Sequence, residues 1–263
     1  MNNEFSHNIH IFWALLRKDL KLFIAKFKGI LIDCLIPLIA NVISFGYLFP
    51  LLGMAESLVA PTFLGMNVML FISLGFSLAQ RIQVDLEYKK FIDYQITLPI
   101  PKRWLFFEYI TYFTIELMGM IFPLTVFGIM LLGNRFITVS PNWIIFLPFF
   151  ILSSLFFALF FMAISFRYPY IWWKDNIWTR RLMPLFCLGC VFFVWQKLYA
   201  FSPFLGIVFL LNPITYVAEG FRACLIGGNE FLPISLCTCI LVIYMLLFCF
   251  VLKNSIFKRI DPV

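Results

Sequence analysis

Six apolar stretches of about 20 residues or more, separated by polar segments, constrain this chain more strongly than any other feature of its sequence. The stretches cover residues 30–52, 58–80, 104–132, 143–166, 182–201 and 233–252. A helix of about 20 residues crosses the hydrocarbon core of a bilayer, and the stretches lack the period-two alternation of barrel strands. We therefore predict an all-α integral membrane protein with six transmembrane helices.

The composition excludes a water-soluble enzyme domain. Hydrophobic residues make up 63% of the chain and charged residues 13%, whereas soluble domains carry about 25% charged residues. Such a chain lacks the polar side chains needed to cover a soluble surface. We expect one transmembrane domain over residues 1–263.

The net charge of +7 is explained by membrane topology. With both termini in the cytoplasm, 17 of the 20 Lys and Arg residues fall on the cytoplasmic side, and Arg135, Lys197 and Arg222 fall outside. Cytoplasmic loops carry this excess of positive charge. The charge therefore predicts a multi-pass protein with cytoplasmic termini and gives no reason to expect nucleic acid as a partner.

Residues 9–27 have an apolar stripe at helical spacing, with Arg17, Lys18 and Lys21 off the stripe. Basic amphipathic helices of this kind lie in the membrane interface. We predict an N-terminal interfacial helix that precedes the first span. It does not read as a cleavable signal peptide, because the first apolar span begins only near Ile30.

The polar segment after the second span has helical periodicity over residues 84–96. Two interpretations stay open, a solvated loop and a short amphipathic helix that docks a soluble partner. The residues that would make the contact are Asp85, Glu87, Tyr88, Lys89, Lys90 and Asp93. Pro99 and Pro101 would end such a helix before the third span.

Residues 203–228 precede the last span and do not form a full span themselves. The apolar part, Phe204 to Leu211, is too short to cross the bilayer, and Asn212-Pro213 has the chemistry of a helix start. Glu219 and Arg222 are three residues apart and can pair on one helix face. We predict a re-entrant segment followed by a short helix at the outer surface.

Polar residues inside the spans are candidates for a translocation path, since charges there are costly. Glu108, Tyr112 and Glu116 share one face of the third span, and Asn41 lies in the first. We expect Glu108 to reach Lys102 or Arg103. For Glu116, a path role and an internal ion pair both stay open.

Two segments resemble the permease subunit of ABC-2 type ATP-binding-cassette exporters. They are TLPIPKRW, residues 97–104, and NPITYVAEGFRACLIGG, residues 212–228, set in a layout of an interfacial helix and six spans. The resemblance implies that residues 84–96 form a coupling helix docked on a separate ATPase. It also implies a homodimer in a bacterial cytoplasmic (inner) membrane, with residues 204–228 as the outer gate, exporting an amphipathic drug, lipid or lipid-linked glycan.

The gate and path candidates on this interpretation are Asn41, Tyr112, Glu116, Asn212, Pro213, Tyr216, Glu219 and Arg222. The chain has no phosphate-loop motif, so we expect it to be a non-catalytic subunit that binds no cofactor. ATP and Mg²⁺ would sit on the partner ATPase.

Two other functions compete with this interpretation. An ion-coupled secondary transporter would use Glu108 and Glu116 as proton sites, although no internal repeat of the kind common in such transporters is visible. A membrane-embedded lipid enzyme is disfavoured, because His7 and His10 are the only histidines and no HExxH or GxSxG motif occurs. The pair Cys187 and Cys190 is surrounded by apolar residues, so we expect no metal site.

Overall fold

The computed structural model describes residues 2–97, 101–170 and 176–260, and the elements in these ranges are helical. We number the α-helices of five residues or more in chain order. They are α1 Asn2–Asn41, α2 Val59–Val84, α3 Phe91–Thr97, α4 Lys102–Leu132, α5 Trp143–Arg167, α6 Met183–Cys187, α7 Trp195–Phe201, α8 Pro203–Leu210, α9 Pro213–Leu225 and α10 Ile234–Ile260.

The long helices establish a multi-pass membrane architecture. Five of the described helical segments are long and apolar enough to cross a bilayer: Asn8–Leu51, Glu56–Lys89, Lys102–Arg135, Trp143–Arg167 and Ile234–Ser255. A sixth crossing would need α8 and α9 together, and these two helices are bent by 99°.

The predicted interfacial helix and the predicted first span are one continuous helix. α1 runs through the expected boundary between residues 27 and 30, because Gly29 alone does not break a helix that is otherwise rich in good helix formers. The segment continues as a π-helix over Val42–Leu48, after Pro37 has removed one backbone donor from the ladder. Asn8–Leu51 is about 66 Å long at 1.5 Å per residue, so it extends beyond a hydrocarbon core of about 30 Å.

The predicted fifth span, residues 182–201, is not a single helix. A π-helical turn, Trp178–Leu182, leads into α6, which ends at Cys187, and α7 begins only at Trp195. Gly189 follows the helix end, and Cys190 adopts a left-handed backbone with φ of 51°. The expectation of a continuous span was therefore wrong, although the segment is apolar enough for one.

α1 and α4 lie side by side in the same direction. At their first turns Phe12 packs against Trp104 and Phe107, with ring centroids 6.2 and 5.6 Å apart. In the π-helix that continues α1, the Tyr47 hydroxyl donates to the Leu131 carbonyl in the last turn of α4 at 2.8 Å. Movement of one helix along its length must therefore involve the other.

α2 is the most enclosed of the five long helices, and aromatic rings join it to its neighbours. The Phe71 ring stacks on Phe157 of α5 at 5.0 Å and contacts Phe221 of α9 at 5.9 Å. Phe150 of α5 also stacks on Phe221 at 5.9 Å. α10 is more exposed and packs on α5 through Phe248. This packing fixes α9 against the rigid centre of the bundle.

Candidate functional site

The polar chemistry of the described residues is concentrated in two places. The first is an ion pair on α9, which we call the outer pair, between Glu219 and Arg222. Arg222 Nη1 donates to Glu219 Oε1 at 2.7 Å, and both side chains are 0% exposed. A fully buried pair needs further hydrogen bonds to offset the loss of water.

Arg222 obtains these bonds from backbone carbonyls on two other segments. Nε donates to Pro61 at 2.8 Å, Nη2 to Val191 at 2.9 Å, and Nη1 to Phe193 at 3.0 Å. Val191 and Phe193 belong to the non-helical stretch between α6 and α7, where the helical ladder supplies no donors.

The Glu219 carboxylate accepts hydrogen bonds from two backbone N–H groups in addition to that from Arg222. Its Oε1 accepts the backbone N–H of Trp195 at 3.0 Å, and Oε2 accepts that of Leu232 at 3.4 Å. The pair thus satisfies five backbone groups, three carbonyls and two N–H groups. Buried backbone groups outside a helical ladder need other partners, and the outer pair supplies them to Val191, Phe193 and Trp195, so it holds the broken fifth segment together.

The other predicted residues of this segment tie α9 to α8. The Asn212 side chain accepts the Ile214 N–H at 3.0 Å and donates to the Leu185 carbonyl, and Pro213 occupies the first helical turn. The Tyr216 hydroxyl donates to Leu210, and Thr215 to Phe209, both at 2.8 Å. These contacts fix the 99° bend between the two helices.

The second polar centre, which we call the inner cluster, lies where the N-terminal halves of α1 and α4 meet the C-terminal end of α2. Arg81 of α2 donates to Glu116 of α4 at 3.0 Å, and Tyr112 lies one helical turn before Glu116 on α4. A cavity of about 440 Å³ opens beside Arg81 and Tyr112. Of the two interpretations of Glu116, the structure shows the internal ion pair.

Glu108 belongs to the inner cluster and does not reach Lys102 or Arg103. Its side chain is 0% exposed, whereas both basic side chains are exposed. Residues five and six positions earlier on a helix do not share the i, i+3 or i, i+4 face, which is why the expected pairs do not form. The Glu108 carboxyl instead faces Asp19 of α1.

Substitutions at the Arg81–Glu116 pair should have unequal effects. Arg81 is 40% exposed and Glu116 is 1% exposed. Arg81→Gln should cost about 2 kcal/mol, because it leaves a buried carboxylate without its cation. Glu116→Gln should cost less than about 1 kcal/mol, because the remaining arginine reaches water. Thermal unfolding of the two purified variants compares these costs, and equal losses would contradict the assignment.

The coupling segment, residues 85–97, consists of two pieces instead of the one helix expected over 84–96. α2 continues into a π-helical turn, Asp85–Lys89, the chain reverses at Lys90 with φ of 51°, and α3 follows. Asp85 does not point outward, because its carboxylate caps α3 by accepting the Ile92 N–H at 2.8 Å. The side chain of Asp93 lies outside the described residues.

The outward face of the coupling segment carries charged and aromatic side chains. Its exposed residues are Glu87, Tyr88, Lys89, Lys90, Phe91, Tyr94 and Thr97. Leu86 and Ile92 point inward and are buried. The segment is therefore an ordered, amphipathic surface, which differs from a solvated loop.

The basic residues of α1 divide into two groups. Lys18 pairs with Asp19 at 3.2 Å, and its ammonium lies 4.6 Å from the Phe91 ring centroid, which joins α1 to the coupling segment. Arg17 and Lys21 are exposed and line a groove with Trp13. Asn41 is half-buried at the end of α1, outside both polar centres.

Comparison with protein-family models, curated proteins and solved structures found no match to this chain. Within the described ranges, no group of three or more His, Cys, Asp or Glu side chains is placed to hold a metal ion.

The sequence pattern does not single out three residues that organise the two centres. Arg81 counts only as one more cytoplasmic charge, and Asp19 is masked by the basic residues around it. Gly65 of α2 lies against Val191 and Arg222, where an added Cβ would overlap both. Arg81 directly follows the predicted second span, and this position indicates that its side chain could reach a carboxylate buried between the helices.

Proposed function

We propose that this chain is the permease subunit of an ATP-driven exporter that couples to a separate ATPase. The observation that carries the proposal is the outward face of the coupling segment. It combines charged side chains with Tyr88 and Tyr94, which are 66% and 61% exposed. Exposed aromatic residues among charges are typical anchors of protein interfaces.

The position of this face suits a coupling role. The segment continues α2 directly, Lys18 joins it to α1, and Tyr109 of α4 donates to Gln95 of α3 at 2.7 Å. A partner that displaces the segment would therefore act on three long helices at once. The outer pair at the other side of the bundle is the corresponding element of the proposed gate.

A second copy of the chain would cover the outward face of α1 in a homodimer. Ile32, Ile36, Ile39 and Ile43 are exposed there and recur at spacings of four, three and four residues, the pattern of a helix–helix seam. Asp33 is also exposed beside this seam. A carboxylate facing lipid within a span is costly, so contact with protein is favoured over contact with acyl chains.

The proposed cargo is amphipathic, and the inner cluster lies on the side from which it would enter. The cavity there combines apolar side chains, including Leu78 and Phe113, with basic and acidic groups at its rim. ATP and Mg²⁺ would be bound by the partner ATPase. The chain itself would lie in a bacterial cytoplasmic (inner) membrane, with both of its termini in the cytoplasm.

The test is the ATPase activity that accompanies the tagged chain when it is purified from its native membrane. Changing Tyr88 and Tyr94 together to alanine should lower this activity at least about tenfold. The loss of two interface anchors weakens the binding free energy by more than about 1.4 kcal/mol, which is a factor of ten in affinity. The control is Tyr199→Ala, at a tyrosine of α7 that is 43% exposed and lies outside the coupling segment. Elution of all variants as single species on size-exclusion chromatography shows that they are folded.

Two outcomes would contradict the proposal. One is wild-type protein that purifies without ATP hydrolysis, and the other is a double variant that retains the full activity. Transport by the chain alone in liposomes, driven by a pH gradient without ATP, would favour a secondary transporter that uses the intramembrane carboxylates.

A further inference from the structure

Glu108 is a buried carboxyl group for which the described residues supply no hydrogen-bond donor. Its side chain is 0% exposed, and neither Oε1 nor Oε2 accepts a hydrogen bond from any described residue. An ionised carboxylate in this position would have lost its water without compensation, which is among the most costly arrangements in a protein.

The neighbour of Glu108 is a second carboxyl group. Asp19 of α1 lies within hydrogen-bonding reach of Glu108, and its side chain is 14% exposed. Packing of Phe12 on Trp104 and Phe107 holds this part of α1 against the first turns of α4. The proximity of the two carboxyl groups is therefore imposed by the helix packing.

The other charged and titratable groups around the pair come from each of the three helices that meet there. They are Lys18 and Lys26 of α1, Arg81, Asp85 and Lys89 of α2 and the turn that follows it, and Tyr109, Tyr112 and Glu116 of α4. Arg81 is bonded to Glu116, and Lys18 is paired with Asp19. Both paired cations are therefore bonded to carboxylates other than Glu108.

We propose that Glu108 and Asp19 form a proton-binding site in which one proton joins the two carboxyl groups across α1 and α4. Two ionised carboxylates are both acceptors and repel each other, so only a proton on one of them makes a hydrogen bond between them. Lys18 is paired with Asp19 at 3.2 Å, and complete burial favours neutral Glu108. Glu108 thus donates its proton to Asp19.

This site fastens the cytoplasmic part of α1 to α4 at neutral pH. Removing the proton places two negative charges side by side out of water, which pushes the helices apart. The bonded state is therefore present at low and neutral pH and is lost as the pH rises. The inference concerns the chain alone and does not depend on an exporter role.

Infrared spectroscopy of the purified chain in lipid nanodiscs tests the site. Wild type should show the carbonyl stretch of a protonated, hydrogen-bonded carboxylic acid at neutral pH, and Glu108→Gln should lose it. The glutamine amide still donates to Asp19, so this variant keeps its fold. Glu116→Gln is the matched control on the same helix and should retain the band.

The pH dependence gives a second measurement. The unfolding temperature of wild type should fall from neutral to alkaline pH relative to that of Glu108→Gln, which has no proton to lose at this position. The inference is overturned if wild type lacks the protonated band at neutral pH. It is also overturned if Glu108→Gln keeps the band, or if the two proteins respond identically to pH.

Discussion

Arg222→Gln should abolish most of the folded protein, because it removes the cation of the outer pair and donors to three backbone carbonyls. Glu219 would remain as an uncompensated charge at 0% exposure. Breaking a buried pair from one side costs about 3–5 kcal/mol, which is a large part of the total stability of a typical fold.

The neutral double variant separates the charge effect from the loss of contacts. Glu219→Gln together with Arg222→Gln should be more stable than Arg222→Gln alone, because no buried charge is left and the amides can bond to each other. Arg180→Gln, at an exposed arginine, should be close to wild type. Thermal unfolding in detergent ranks the variants, and an Arg222→Gln protein as stable as wild type would refute the clamping role.

Gly65→Ala should destabilise the protein by about 3 kcal/mol or more, since the new methyl group would overlap fixed backbone. The Cβ would meet the Val191 carbonyl, and the Arg222 guanidinium that binds this carbonyl. Neither neighbour can move without breaking the outer pair. Relief of the overlap therefore requires α2 to separate from the stretch between α6 and α7.

The control for Gly65 is another glycine within a helix. An alanine at Gly29 of α1 would have no heavy atom within 4 Å of its Cβ. Gly29→Ala should therefore raise stability by about 0.5–1 kcal/mol through helix propensity alone. Unfolding temperatures of the two variants should move in opposite directions, and a neutral Gly65→Ala would show that the close approach is absent.

Much of the fold follows from local sequence because apolar stretches and helix caps act locally. Asn212 and Pro213 begin α9 where a helix start was expected, and Trp143 to Phe166 lies within a single helix. The prediction of a continuous fifth span is wrong because distant residues decide whether this segment stays helical. Val191 and Phe193 leave the helical ladder for donors on Arg222, which is about 30 residues further along the chain.

In the candidate site too, contacts between residues close in sequence could be predicted and contacts between distant residues could not. Glu219 and Arg222 are one turn apart, so their pairing can be expected from sequence. The partner of Glu108 is 89 residues away on another helix, and the spacing within the third span contains no information about it. The complete burial of Arg222 also could not be predicted from the pattern, because an arginine beside an apolar segment normally extends its guanidinium to water.

The helical segment Asn8–Leu51, which is α1 and the π-helix that continues it, can act as a mechanical lever. Leu38 packs 3.3 Å from the Cβ position of Gly128, and this contact supplies a fulcrum against α4. At 1.5 Å per residue, the arm from Phe12 to this fulcrum is about 39 Å and the arm onward to Leu51 is about 20 Å. A rigid tilt about that point would move the Leu51 end in the opposite direction to the Phe12 end, by about half the distance.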